Sequence, residues 1–132
     1  MALVAGCASP GQRLEQRARA AGLEIIHISA GEFPSVLYLK RSPAPSPAGE
    51  PLMIFLESDG IPWLDGRRPS ADPTTRAPLA LDLLMRSAAP AAYVSRPCYH
   101  GLRTDRCSVE LWTSARYSSE VVESMAATVR EA

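Results

Sequence analysis

No excess of charge of either sign exists in this sequence: fourteen Lys and Arg residues balance fourteen Asp and Glu, and the formal net charge is zero. Arginine supplies nearly all of the positive charge but forms no run, so the chain lacks the basic stripe that nucleic-acid binding requires, and a mixed, solvated surface is expected. Cysteine is scarce, with only Cys7, Cys98 and Cys107. That is too few for a disulfide-framed miniprotein, and no Cys-x-x-Cys spacing offers a zinc site. Histidine is scarcer still, His27 and His100. One His beside one Cys falls short of the three protein ligands of a catalytic zinc site, so no metal or cofactor is implied. No apolar stretch approaches the length of a membrane-spanning helix, and no internal repeat is present. What is there is 132 residues, 46% of them hydrophobic, enough for one domain with its own core.

The segment from Gly11 to Leu23, rich in Ala, Arg, Gln and Glu, places Leu14, Ala18 and Ala21 on one side of a helical wheel and reads as a short amphipathic helix ended by Gly22. Glu24–Ser29 and Ser35–Arg41 read as two leading strands, an antiparallel pair turned at Gly31, Phe33 and Pro34. Ser42–Pro51, with four prolines, is a loop. Leu52–Glu57 is a continuous apolar run that meets an acidic glycine turn, the pattern of a strand buried on both faces, as in parallel sheets. Ligands of open α/β sheets bind outside such strand ends, so function is expected around Glu57–Trp63. A polar excursion of roughly a dozen residues follows, longer than most connections in compact domains. Thr74 or Thr75 is then positioned to cap a helix whose first turn holds Pro78 and which runs to about Ser87. Ala91–Ser95 is a short strand. Ser118 or Ser119 opens a last helix, with Val122, Met125, Ala126 and Val129 on its inner face. Strand, turn, helix, strand, loop, helix is the order of the first half of an α/β doubly wound parallel sheet.

Val4-Ala-Gly-Cys7 resembles the small-residue pattern before the lipid-modified cysteine of bacterial lipoproteins, and residues 1–10 read as the remnant of such a signal ahead of one domain, 11–132. The basic start and half of the apolar stretch are missing, so an ordinary small-residue amino terminus stays open. Export implies a simple role for the other cysteines: in an oxidising envelope or periplasm Cys98 and Cys107 pair across Tyr99–Arg106, whereas in a reducing compartment they stay free.

Phe55-Leu-Glu-Ser-Asp-Gly-Ile-Pro-Trp63, Ala71-Asp-Pro-Thr-Thr-Arg-Ala-Pro-Leu-Ala-Leu81, Tyr93-Val-Ser-Arg-Pro-Cys-Tyr-His-Gly101 and Leu111-Trp-Thr-Ser-Ala-Arg-Tyr-Ser-Ser-Glu-Val-Val-Glu-Ser-Met-Ala126, in that order, resemble the amino-terminal half of a bacterial α/β-hydrolase family, often lipoprotein-like, across roughly residues 30 to 132. The resemblance implies a partial α/β-hydrolase fold: three αβα layers around a mostly parallel sheet with an antiparallel leading pair. It also implies that the last helix leads into a strand and a Gly-x-Ser-x-Gly nucleophile elbow, followed by the acid and histidine. No Gly-x-Ser-x-Gly occurs here, and His27 and His100 lie upstream of where that order puts the base. The chain therefore resembles a fragment without nucleophile or triad, inactive alone, of an esterase-type enzyme acting on an ester-like small molecule.

What the resemblance does carry onto this chain is the oxyanion donor in the turn after the third strand. Glu57-Ser-Asp-Gly60 stands where many relatives have His-Gly-x, which implies the backbone N–H of Asp59, with Gly60 next and Ser58 in place of a small glycine. Glu57 and Trp63 are expected on the substrate rim, Trp112 in packing, and Arg96 and Arg116 as loop-fixing partners of Asp72, Asp105 or Glu120. A non-catalytic binding or structural envelope lipoprotein domain is the alternative. Either way, membrane anchoring through Cys7 and self-association through an unpaired sheet edge are expected.

Overall fold

The computed structural model describes residues 8–29, 31–45 and 47–132; Cys7 and its expected lipidation lie outside them. Helix α1, Pro10–Ala20, begins at a capping box in which the Ser9 hydroxyl accepts from the Gln12 N–H and the Gln12 side chain accepts from the Ser9 N–H. Pro10 occupies the first turn, where its missing N–H leaves nothing unpaired. Leu14 and Ala18 are buried as the wheel predicts; Ala21 lies past the helix and is exposed.

Strands β1, Glu24–Ile28, and β2, Ser35–Lys40, pair antiparallel, as expected. After the 41–52 connection the chain reverses into β3, Met53–Leu56, passes a small hairpin of β4, Trp63–Leu64, and β5, Arg68–Pro69, and enters α2, Leu79–Arg86. Neither Thr74 nor Thr75 caps α2: Pro78 holds the N-cap position without a side-chain bond. The Thr75 hydroxyl instead accepts from Ala77 N–H, and Thr74 is drawn into the site described below. Strand β6, Ala91–Val94, then inserts between β2 and β3, giving the order β1-β2-β6-β3.

That insertion corrects two expectations. The sheet is mixed, not mostly parallel: β3–β6 is parallel, while β1–β2 and β2–β6 are antiparallel. The cause is topological, because the α2 crossover makes β6 run with β3, and β3 already runs against β2. The strand enclosed on both faces is β6, all four of whose residues are buried, while the apolar run at 53–56 becomes the edge with Met53 and Leu56 exposed.

Helices cover both faces of the sheet. On one, α1 and α2 bring Leu14, Ala18, Leu81 and Leu84 onto Val36, Tyr38, Ala91 and Tyr93. The alternating residues Leu37, Leu39, Ala92 and Val94 point the other way, against Val129 of α3, Ser119–Arg130. Ser118 caps α3, accepting from Val121 N–H. The buried face of α3 is Val121, Ser124 and Thr128, with Val122 and Ala126 exposed, so the expected apolar stripe is turned by about one residue. Val121 goes into a second cluster with Phe33, Tyr99, Leu111 and Trp112, which that rotation allows it to reach.

Cys98 and Cys107 are bonded, with Cα atoms 5.8 Å apart. Closing so short a loop stabilises a chain by about 2–3 kcal/mol in the loop-entropy account. Urea denaturation with and without reductant should therefore differ by that amount, and coincident curves would show that the bond constrains nothing.

Candidate functional site

The turn that follows β3 is built from both sides. Glu57 N–H donates to Val94 O at 3.0 Å, extending the parallel ladder by one rung, and its side chain then turns inward. Its carboxyl group is buried: Oε2 accepts from Arg96 N–H at 3.1 Å, and both oxygens lie 3.2 Å from His100 Nε2. The side chains of His100 and Glu57 are only 4% and 1% exposed. The other ring nitrogen, Nδ1, is 3.0 Å from the Tyr38 hydroxyl, and Tyr93 OH is 3.3 Å from Nε2. Tyr38 and Tyr93 stack at 5.2 Å between centroids, so two adjacent strands present their hydroxyls to one imidazole. Burial raises both phenols above the ordinary tyrosine range, and the nearby Glu57 charge adds to the effect.

His100 reaches this position through a strained loop. Cys98 and His100 both sit at positive φ, 63° and 59°. The disulfide at Cys98, the bond from Cys98 N–H to Pro34 O at 2.9 Å, and the bond from His100 N–H to the Thr74 hydroxyl at 2.6 Å hold them there. Thr74 in turn donates to Asp72 Oδ1 at 2.5 Å. Gly11 of α1 packs on this loop so closely that a Cβ would lie 2.5 Å from the His100 carbonyl.

Asp59 forms the outer half of the turn. Its Oδ1 is 3.2 Å from Arg96 Nη1, and its Oδ2 is 3.3 Å from Arg116 Nε and accepts from Tyr117 OH at 2.5 Å. Its backbone carbonyl accepts from Tyr99 OH at 2.7 Å. Arg96 is buried, donates through Nη2 to Arg116 O, and stands against the rings of Tyr99 and Tyr117. The two arginines thus fix a loop, as expected, but their acid is Asp59, because the 113–118 segment folds back over the turn. Among the described residues the Ser58 and Asp59 N–H groups donate to no protein acceptor. The Gly60 N–H lies 3.4 Å from Ser58 Oγ.

Gly60 cannot be replaced without moving the chain. Its φ is +65°, and a Cβ there would meet Pro73 O at 2.0 Å. Gly60→Ala should cost at least about 2 kcal/mol in denaturant, combining left-handed strain with the clash; a neutral result would mean that the turn is not held as described.

Of the residues expected to act, Ser58, Asp59 and Gly60 form one turn at the carboxyl end of β3. Glu57, expected on a rim, is enclosed, and Trp63 is partly exposed at 39%. Trp112 is buried, and its indole N–H donates to Ser70 O at 3.0 Å. The buried quartet of Glu57, His100, Tyr38 and Tyr93 was not foreseen. The available signal was Glu57 itself, an acid that ends an apolar run and must find a partner when buried. Compared with protein-family models, with curated proteins and with solved structures, the chain has no match.

Proposed function

We infer that this chain is the amino-terminal part of an esterase-type serine α/β-hydrolase domain, and that its chemical contribution is the binding of an oxyanion by the 58–60 turn. One observation carries the reading: the Asp59 N–H is free of any protein acceptor among the described residues, on a turn whose carboxylate and carbonyl are both held by other loops. A preorganised N–H of this kind strengthens its hold as a carbonyl oxygen gains charge in the tetrahedral intermediate, and costs no reorganisation when it does so. The turn also lies between β3 and the next helix, α2, with the β4–β5 hairpin between them; α/β-hydrolases supply one oxyanion donor from a strand-to-helix loop. The nucleophile, its base and the orienting acid come from outside these residues. His100 is not that base: it is enclosed, and both ring nitrogens are engaged, Nε2 by Glu57 and Nδ1 by the Tyr38 hydroxyl. Location in the cell envelope, with Cys7 as lipid anchor, belongs to the same proposal; the Cys98–Cys107 bond supports only its oxidising compartment.

A fluorophosphonate probe tests the reading. It should leave the 132-residue chain unlabelled and label the product of the reading frame continued past codon 132. On that product, Asp59→Pro, which deletes the N–H, should lower kcat by about 10²–10³, the effect of removing one oxyanion donor. Asp59→Ala, which keeps the N–H, should lower it far less. Absence of label on the longer product would favour the competing reading, a non-catalytic binding domain of the envelope, to which the enclosure of the Glu57–His100 pair also lends support.

A further inference from the structure

The eight aromatic residues of this chain are not distributed evenly between core and surface. Phe33, Tyr38, Tyr93, Tyr99 and Trp112 are buried and Phe55 is half-buried. Trp63 and Tyr117, 39% and 65% exposed, are the two left to solvent, and both line one groove. The remaining wall is the 113–118 segment that folds over the Asp59 turn, and the space between measures about 770 Å³, within the usual range of about 300–1,000 Å³ for small-molecule sites.

We propose that this groove is a carbohydrate subsite, in which a sugar ring lies on the indole face of Trp63 while its hydroxyls meet Ser114, Ser118 and Arg116. The polarity of the walls selects the class. An acyl chain or aryl group suits an enclosed apolar pocket, but here Thr113, Ser114, Ser118 and Arg116 share an open groove with Trp63 and Tyr117. Charge selects a neutral ligand, because the Arg116 guanidinium already faces the Asp59 carboxylate. The free platform is Trp63 and not Tyr117, whose ring already stands against Arg96 and Arg116 at 5.4 and 5.3 Å. A sugar has the complementary surface: C–H faces for the indole and an equator of hydroxyls for the polar wall.

The groove shares a wall with the anchor of the 58–60 turn, since Arg116 and Tyr117, two of its lining residues, hold the Asp59 side chain. The acyl group of an acylated sugar seated on Trp63 would then be the part that meets the 58–60 turn. That last step, which makes the substrate an acylated sugar, rests on the serine-hydrolase reading; the binding of the sugar does not.

The test is an NMR titration of the 132-residue chain, following the two indole N–H signals, with xylotriose, maltotriose and the N-acetylglucosamine trimer as probes and benzyl alcohol and hexanoate as comparators. At least one trisaccharide should move the Trp63 signal saturably and leave that of Trp112 in place. Trp63→Ala should weaken binding by about tenfold or more, and Trp63→Tyr, which restores a flat face, should recover most of it. The proposal is overturned if no trisaccharide moves Trp63, if only benzyl alcohol or hexanoate does, or if Trp63→Ala binds as well as the parent chain. Sugar binding without probe labelling of the longer product would leave a sugar-binding module and remove the hydrolase; labelling without sugar binding would do the reverse.

Discussion

Glu57→Ala is expected to destabilise the fold by about 3–5 kcal/mol, the usual cost of removing one partner of a buried acid and base. Two groups lose their acceptor at once: His100 Nε2, whose side chain is 4% exposed, and the Arg96 N–H at the end of β6. Water cannot readily replace the lost oxygens at a site closed by Tyr38 and Tyr93. Glu57→Gln keeps an oxygen for the Arg96 N–H and should cost less than half as much. His100→Ala leaves Glu57 with the Arg96 N–H but without its imidazole, and should fall near the alanine variant at 57. The double variant should cost clearly less than the sum, because each single change already removes the same contact. Urea denaturation of the four proteins gives these numbers, and strictly additive effects below about 1 kcal/mol would mean that the pair is a coincidence of packing. A local readout accompanies the global one. With Glu57 released, the 58–60 turn loses its inner anchor, so amide exchange at Asp59 and Gly60 should accelerate in Glu57→Gln even where the fold persists.

The same pair shows how much of this protein is legible in its sequence. Elements with a local signal are readable: the Leu14 and Ala18 stripe of α1, the antiparallel pair β1 and β2, the cap at Ser118 and the glycine turn at Gly60 all occur where residue chemistry points. Sheet order carries no such signal. Nothing in Met53–Leu56 says that Ala91–Val94 will insert beside it, so the more apolar-looking run becomes the edge and the alanine-containing one the centre. The α3 face fails for a related reason: Ser124 and Thr128 are both buried, the Thr128 hydroxyl donating to the Ser124 carbonyl one turn back, and a wheel that counts only apolar residues passes over them. The site divides along the same line. The Asp59–Gly60 turn is a local feature. Glu57 and His100 stand 43 positions apart and meet because the parallel register sets Leu56 beside Val94, which brings the residues after each strand to one corner. Asp59 likewise finds Arg96 and Arg116 only once the 113–118 segment has folded back.

Alkaline titration should unfold this protein steeply. Tyr38, Tyr93 and Tyr99 have no measurable exposure, and burial raises each phenol above its ordinary value of 10.0; a nearby arginine offsets this in part for Tyr99, through Arg96, and for Tyr38, through Arg19. Below the ordinary tyrosine range, folded and unfolded chains both hold these protons, so the three phenols contribute no pH dependence there. Above it the unfolded chain releases them while the folded chain keeps them, and the state that binds more protons is the one that rising pH disfavours. Stability should therefore fall by about 1.4 kcal/mol per pH unit for each tyrosine, or about 4 kcal/mol for the three together. Set against total stabilities of about 5–15 kcal/mol, a rise of two to three units is enough to unfold the domain. The urea midpoint followed from neutral pH upward measures the slope, and phenolate absorbance from these three tyrosines should rise together with loss of the circular dichroism signal. Tyr38→Phe, Tyr93→Phe and Tyr99→Phe should each remove about a third of the slope, whatever they do to stability at neutral pH. Phenolate signals from these positions that appear while the fold is still intact would show that water reaches the Glu57–His100 corner, and with it that the inner anchor of the Asp59 turn is not the enclosed one described here.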